Sequence, residues 1–62
     1  MQDKNTFTKS LLNECLKLIA NKKVNMPSLA YKMGMSVMDL YKLLLEPNDD
    51  ISYYLNIIYL LN

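Results

Sequence analysis

Sixty-two residues make one small domain, because a domain usually runs to ~50 residues or more and a second has no room. One cysteine, Cys15, and no histidine leave no intrachain disulfide, no workable zinc ligand set and no histidine-based catalytic pair. Gly34 is the lone glycine, so a phosphate-cradling loop cannot form, and the composition points away from an enzyme, a cofactor or a small-molecule substrate.

A fold of this length buries only ~60% of the surface its unfolded chain exposes. Hydrophobic residues nevertheless make up 52% of the chain, and the excess reads as surface meant for another chain. The net charge of +1 hides a division. Residues 1–45 hold all seven lysines against Asp3, Glu14 and Asp39, a balance of +4, whereas residues 46–62 hold only Glu46, Asp49 and Asp50, a balance of −3. That pattern suggests one section facing a polyanion and another devoted to assembly. The polar start MQDKNTFTK does not read as a secretory signal. The apolar run Ile51 to Leu61 spans ~16 Å as a helix against ~30 Å of bilayer hydrocarbon, so no membrane span is expected. A free thiol fits a reducing, cytoplasmic compartment.

The first helix is expected to open at Asn5 or Thr6, either of which can cap it. Phe7, Leu11, Leu12, Cys15, Leu18 and Ile19 recur at spacings of three and four and form its inner face. Lys9, Asn13, Glu14, Lys17 and Asn21 lie opposite, and the polar stretch Asn21-Lys22-Lys23 ends the helix. A second helix begins near Asn25 to Pro27, since proline is tolerated in a first turn. Its inner stripe is Leu29, Ala30 and Met33, and it stops at Gly34, which reaches a left-handed conformation without steric cost.

Ser36 can then cap a third helix from Val37, with Asp39 reaching back in a variant of the capping box. Leu40, Leu43 and Leu44 give that helix an inner face. Glu46-Pro47 ends it, because the residue before proline is pushed out of helical geometry. Asn48, Asp49 and Asp50 open a fourth helix that runs to the C-terminus. Nine of its eleven residues from Ile51 to Leu61 are apolar, more than one stripe requires. Ile51, Leu55 and Ile58 are assigned to the core, and Tyr54, Ile57 and Leu61 to a dimer interface. No segment alternates with period two long enough to form a strand.

The segment from Met26 to Leu45 pairs two short helices through a tight turn containing glycine, the physical recipe for a helix-turn-helix. Leu29-Ala30, Gly34 four residues later, an apolar Met35, a capping Ser36, then Leu40 and Leu43 resemble the Cro and repressor-type (Xre-like) helix-turn-helix family, over roughly residues 8 to 61. The resemblance implies a small lambda-repressor-like all-α domain of four or five helices, with the helix-turn-helix at about 26–45 and a dimerisation helix at about 49–61. It also implies a homodimeric transcriptional repressor bound to double-stranded DNA. In that family the helix after the turn enters the major groove while the one before it crosses the backbone. Base edges would then face Ser36, Val37, Met38, Tyr41 and Lys42, while Ser28, Lys32 and the amides near Pro27 would meet phosphates.

The reading face departs from the family pattern. Arginine is absent from the whole chain, and no glutamine or asparagine lies at these positions to separate guanine from adenine by bidentate contacts. An apolar, tyrosine-bearing helix on this scaffold serves equally to dock another regulatory protein, as an antirepressor or modulator would. Lysine and asparagine use without arginine suits an AT-rich bacterial, phage or plasmid genome.

Overall fold

A computed structural model describes residues 4–62, with side chains from residue 6 onward, and everything regular in it is helical: α1 (Lys4–Lys22), α2 (Met26–Met33), α3 (Val37–Leu45) and α4 (Ser52–Leu61). The domain is a small all-α unit of four helices among the described residues. Its long axis is 37 Å, and its longest helix, α1, extends ~28 Å over 19 residues at 1.5 Å per residue. No helix among these residues is long and apolar enough to cross a membrane.

Local chemistry sets the middle of the chain. Asn25, in an extended conformation, caps α2 by accepting from the Ser28 amide, and Pro27 occupies the first turn. The helix ends where Gly34 turns left-handed at φ 72°. There the Met35 amide reaches back to the Ala30 carbonyl at 3.0 Å and the Gly34 amide to that of Tyr31 at 3.0 Å, the paired bonds of a Schellman ending. A side chain at Gly34 would meet no atom within 4 Å, so glycine is needed there for backbone freedom rather than for space. The same ending closes α1 without glycine. Lys23 takes φ 50°, and the Val24 and Lys23 amides donate to the Ile19 and Ala20 carbonyls. A left-handed lysine costs ~1 kcal/mol, which two satisfied helix-end carbonyls offset.

Ser36 accepts from the Asp39 amide at 3.0 Å to open α3. Glu46 closes it in extended geometry, φ −129° and ψ 135°, as its position before Pro47 requires. The fourth helix starts later than expected. Residues 46–51 form an irregular loop in which the Asn48 side chain accepts from the Asp50 amide. Of the three residues expected to cap α4, Asp50 alone does so, accepting from both the amide and the hydroxyl of Ser52. Those two bonds hold its carboxyl below the usual range. Asn5 and Thr6 lie inside α1, which already begins at Lys4, and whatever caps it falls outside the described residues.

The core consists of Leu12, Cys15, Leu29, Ala30, Leu40, Leu43, Leu44, Tyr54 and Ile57, and the polar Thr8 is buried as well. α1 packs chiefly along α4, and α2 packs against α3 and touches α4. Two expectations are corrected by this packing. Phe7 is half exposed, and Thr8 takes the inward position one residue on, because the buried line of α1 runs through Thr8, Leu12 and Cys15. On α4 the faces are partly exchanged, while Ile58 packs against the core as expected. Tyr54 and Ile57, expected at a dimer interface, are 0% exposed within the single chain, whereas Leu55, expected in the core, is 49% exposed. Leu61, Ile51 and Ile58 are half-buried.

The physical reason lies in the tyrosine. Both stripes of α4 are apolar enough to bury, but only Tyr54 carries a hydroxyl that can satisfy the end of α3. It donates to the Leu43 carbonyl at 3.0 Å, with the Glu46 carbonyl at 3.3 Å, and accepts from the Asn48 amide at 2.8 Å. Orphan carbonyls at a buried helix end cost free energy unless paired. The long α1 supplies the cover that three short helices were not expected to give.

Cys15 lies beneath this contact, fully buried, its thiol donating to the Tyr54 carbonyl at 3.4 Å. Burial, and secondarily the charge of Glu14, push the thiol from 9.0 to about 11. Since the thiolate is disfavoured only in the folded state, its stabilising contribution is complete below pH ~9 and is lost as pH rises toward ~11, on the order of 2 kcal/mol. Urea midpoints measured across that window should fall more steeply for the wild type than for Cys15→Ala. Parallel curves would refute this account of the thiol.

Candidate nucleic-acid interface

Six of the seven residues expected to face DNA are exposed on α2, α3 or the turn between them, and the seventh, Val37, is half-buried. Val37 packs against the core and presents only part of its surface. Ser36 is committed through its oxygen to the Asp39 amide, which leaves its proton for another acceptor. Met38 is 69% exposed and Tyr41 46%, and Lys42 lies beside them on the outer face of α3.

Leu45, absent from the expected set, is 79% exposed and continues the line. Met38, Tyr41 and Leu45 are spaced by three and four residues and therefore share one helical face. That spacing is legible in the sequence: α3 carries two apolar stripes, and Leu40, Leu43 and Leu44 suffice to fill the core. Tyr31, on the outer face of α2, is still more exposed and is likewise outside the expected set.

The phosphate-facing half changes more. The first turn of α2 was expected to offer amides to an anion, but Pro27 has none, the Ser28 amide is held by the Asn25 side chain at 3.0 Å and the Leu29 amide by the Asn25 carbonyl at 3.0 Å. That leaves the side chains of Ser28 and Lys32, both exposed, as the expected phosphate-facing groups of α2. These two are one turn apart on α2 and line a shallow groove of about 140 Å³ against Leu60 and Leu61 at the end of α4.

Lys42 stands elsewhere. It lines a second groove, of about 330 Å³, with Asp39, Glu46 and Tyr53 among its walls. Two carboxylates beside the one lysine of α3 reduce the positive potential on that flank, so the outer face of α3 is an apolar strip with a single cation at its edge. Cys15 is buried and its thiol is held protonated, so it is not presented to this surface as a nucleophile. No protein-family model, curated protein or solved structure matches the chain.

Proposed function

We propose that the chain is a small helix-turn-helix transcriptional regulator of the Cro and repressor type, acting in the cytoplasm as a homodimer that binds a short two-fold operator and represses by occlusion. The observation that carries this reading is the α2–α3 unit. Leu29, Ala30, Leu40 and Leu43 are buried around a left-handed Gly34, and α3 begins at a serine cap with its outer face in solvent. A helix held by its neighbours on one side and open on the other is what major-groove docking needs.

The dimer of this proposal cannot use Tyr54 or Ile57. α4 leaves Tyr53, Leu55 and Tyr59 exposed; Leu55 and Tyr59 are four residues apart on one face, and a two-fold contact through them would be self-complementary. Half-sites ~34 Å apart then require two subunits.

The test is retardation of the DNA flanking the gene, at low salt. Lys32→Ala and Lys42→Ala should each weaken binding while leaving the circular dichroism unchanged, and each phosphate left without its lysine should lower the log-log salt slope by ~0.9. Folded protein that retards none of this DNA would end the DNA-binding reading. One observation favours a second reading: the exposed Met38, Tyr41 and Leu45 line beside Asp39 and Glu46 would also suit a protein groove. In that case association with a regulatory protein would persist at high salt and be abolished by Met38→Glu.

A further inference from the structure

Resting on the DNA-binding reading, we infer that α3 recognises thymine through its 5-methyl group, so that the ligand is an A·T-rich duplex read by apolar contact rather than by bidentate hydrogen bonds. The major groove offers a protein hydrogen-bonding atoms on every base pair but only one apolar group, the methyl of thymine. The side chains at the open face of α3 match that single feature. Met38 and Tyr41 are exposed at 69% and 46%, and they lie three residues apart on the same face.

The alternatives are chemically poor. The helix VMDLYKLLL has no arginine, asparagine or glutamine, so adenine has no bidentate partner and Lys42 is the one donor that could reach guanine. Lys42 can make a point contact with guanine or phosphate, and Asp39 can accept only from the amino group of cytosine. Charge complementarity comes from outside the strip. Lys32 is exposed on α2 and Lys42 on α3, and these two cations flank the strip where a polyanion would meet it. Met38 and Tyr41 then supply the apolar part of the discrimination among bases.

The experiment starts from the full chain and a pool of duplexes with a random centre of about two helical turns, roughly 20 base pairs, selected at low salt for retention by the protein. Binding of the selected duplex is then measured by fluorescence anisotropy, with each thymine replaced in turn by deoxyuridine, which deletes the methyl and nothing else. Selected sequences should be rich in A·T pairs. At one or two positions per half-site the replacement should weaken binding about four-fold, the worth of one buried methyl group. Met38→Ala or Tyr41→Ala, both at exposed positions, should erase the thymine-over-uracil difference at its own position while the helical signal stays intact. Equal affinity for every thymine and uracil version of a well-selected duplex would overturn the methyl reading and leave DNA binding standing. Failure to enrich any duplex would remove the regulator reading itself, and this inference with it.

Discussion

Replacing Ile57 with glutamate will unfold the chain. Ile57 is 0% exposed and lies in the core with Leu12, Cys15 and Tyr54, so the carboxylate would be buried among apolar groups with no cation to pair it. Such a group either remains charged at a cost of several kcal/mol or takes up a proton at neutral pH. A 62-residue domain has only ~3–9 kcal/mol of stability in total. Even Ile57→Ala, which merely leaves a cavity, should cost ~2–5 kcal/mol.

The companion variant is Leu55→Glu. Leu55 is 49% exposed, and a charge there should leave the helical signal intact and, if α4 forms the two-fold contact, convert a dimer to a folded monomer. Circular dichroism and sedimentation of the two proteins separate the possibilities. A folded Ile57→Glu protein beside an unfolded Leu55→Glu protein would mean that α4 is rotated by half a turn from the arrangement described.

The second large effect belongs to one oxygen atom. Tyr54→Phe keeps the ring and its packing but removes the hydroxyl that joins the Leu43 carbonyl to the Asn48 amide. Both partners are main-chain groups near the end of α3; the bond to the Leu43 carbonyl is buried, and that to the Asn48 amide is part-buried in the loop. Stranding them should cost ~1–3 kcal/mol, which for a domain of this size lowers Tm by roughly 5–20 °C. The change should also have a local signature. Hydrogen exchange at the Asn48 amide should accelerate more than at amides in the middle of α1, because the loop over residues 46–51 loses its tie to α4 before the domain as a whole opens. A Tm within a degree or two of the wild type, with Asn48 exchange unchanged, would show that this oxygen does not hold the loop. Tyr54→Ala removes the ring as well, and should not fold at physiological temperature.

This arrangement also bears on the proposed interface. α3 is held from its inner face by Leu40, Leu43 and Leu44 and at its C-terminal end by the Tyr54 hydroxyl. The angle at which Met38, Tyr41 and Lys42 meet a partner is therefore set partly by α4. A variant that loosens this tie should weaken binding even though it touches no partner, and Tyr54→Phe offers that measurement once a duplex has been found.

Much of the domain is legible in its residues alone. The Asn25 cap, the place of Pro27 in the first turn, the left-handed Gly34, the Ser36 cap and the stop at Glu46-Pro47 each depend on residues within about four positions of one another. Interactions of that range are written in adjacent letters. The exposure of Lys32 and Lys42 is legible for a related reason, since a lysine is seldom buried without a partner. The paired Schellman bonds at Gly34 likewise need nothing beyond the local chain.

What the linear chain leaves open is which apolar face turns inward. In α4, with nine of eleven residues apolar from Ile51 to Leu61, periodicity offers two equivalent stripes and hydrophobicity cannot choose between them. The choice falls to Tyr54 because the end of α3 presents a carbonyl that its hydroxyl can reach, a fact about two segments eleven residues apart. Phe7 and Thr8 are exchanged for the same kind of reason, the buried line of α1 being set by where α4 lies against it. At the start of α2 the Ser28 amide is claimed by the Asn25 side chain and the Leu29 amide by the Asn25 carbonyl. Caps and turns are decided by bonds within one turn of helix and so belong to the sequence. The facing of α1 and α4, and with it which residues remain for a second chain or a duplex, depends on contacts between distant segments and is decided only by the tertiary structure.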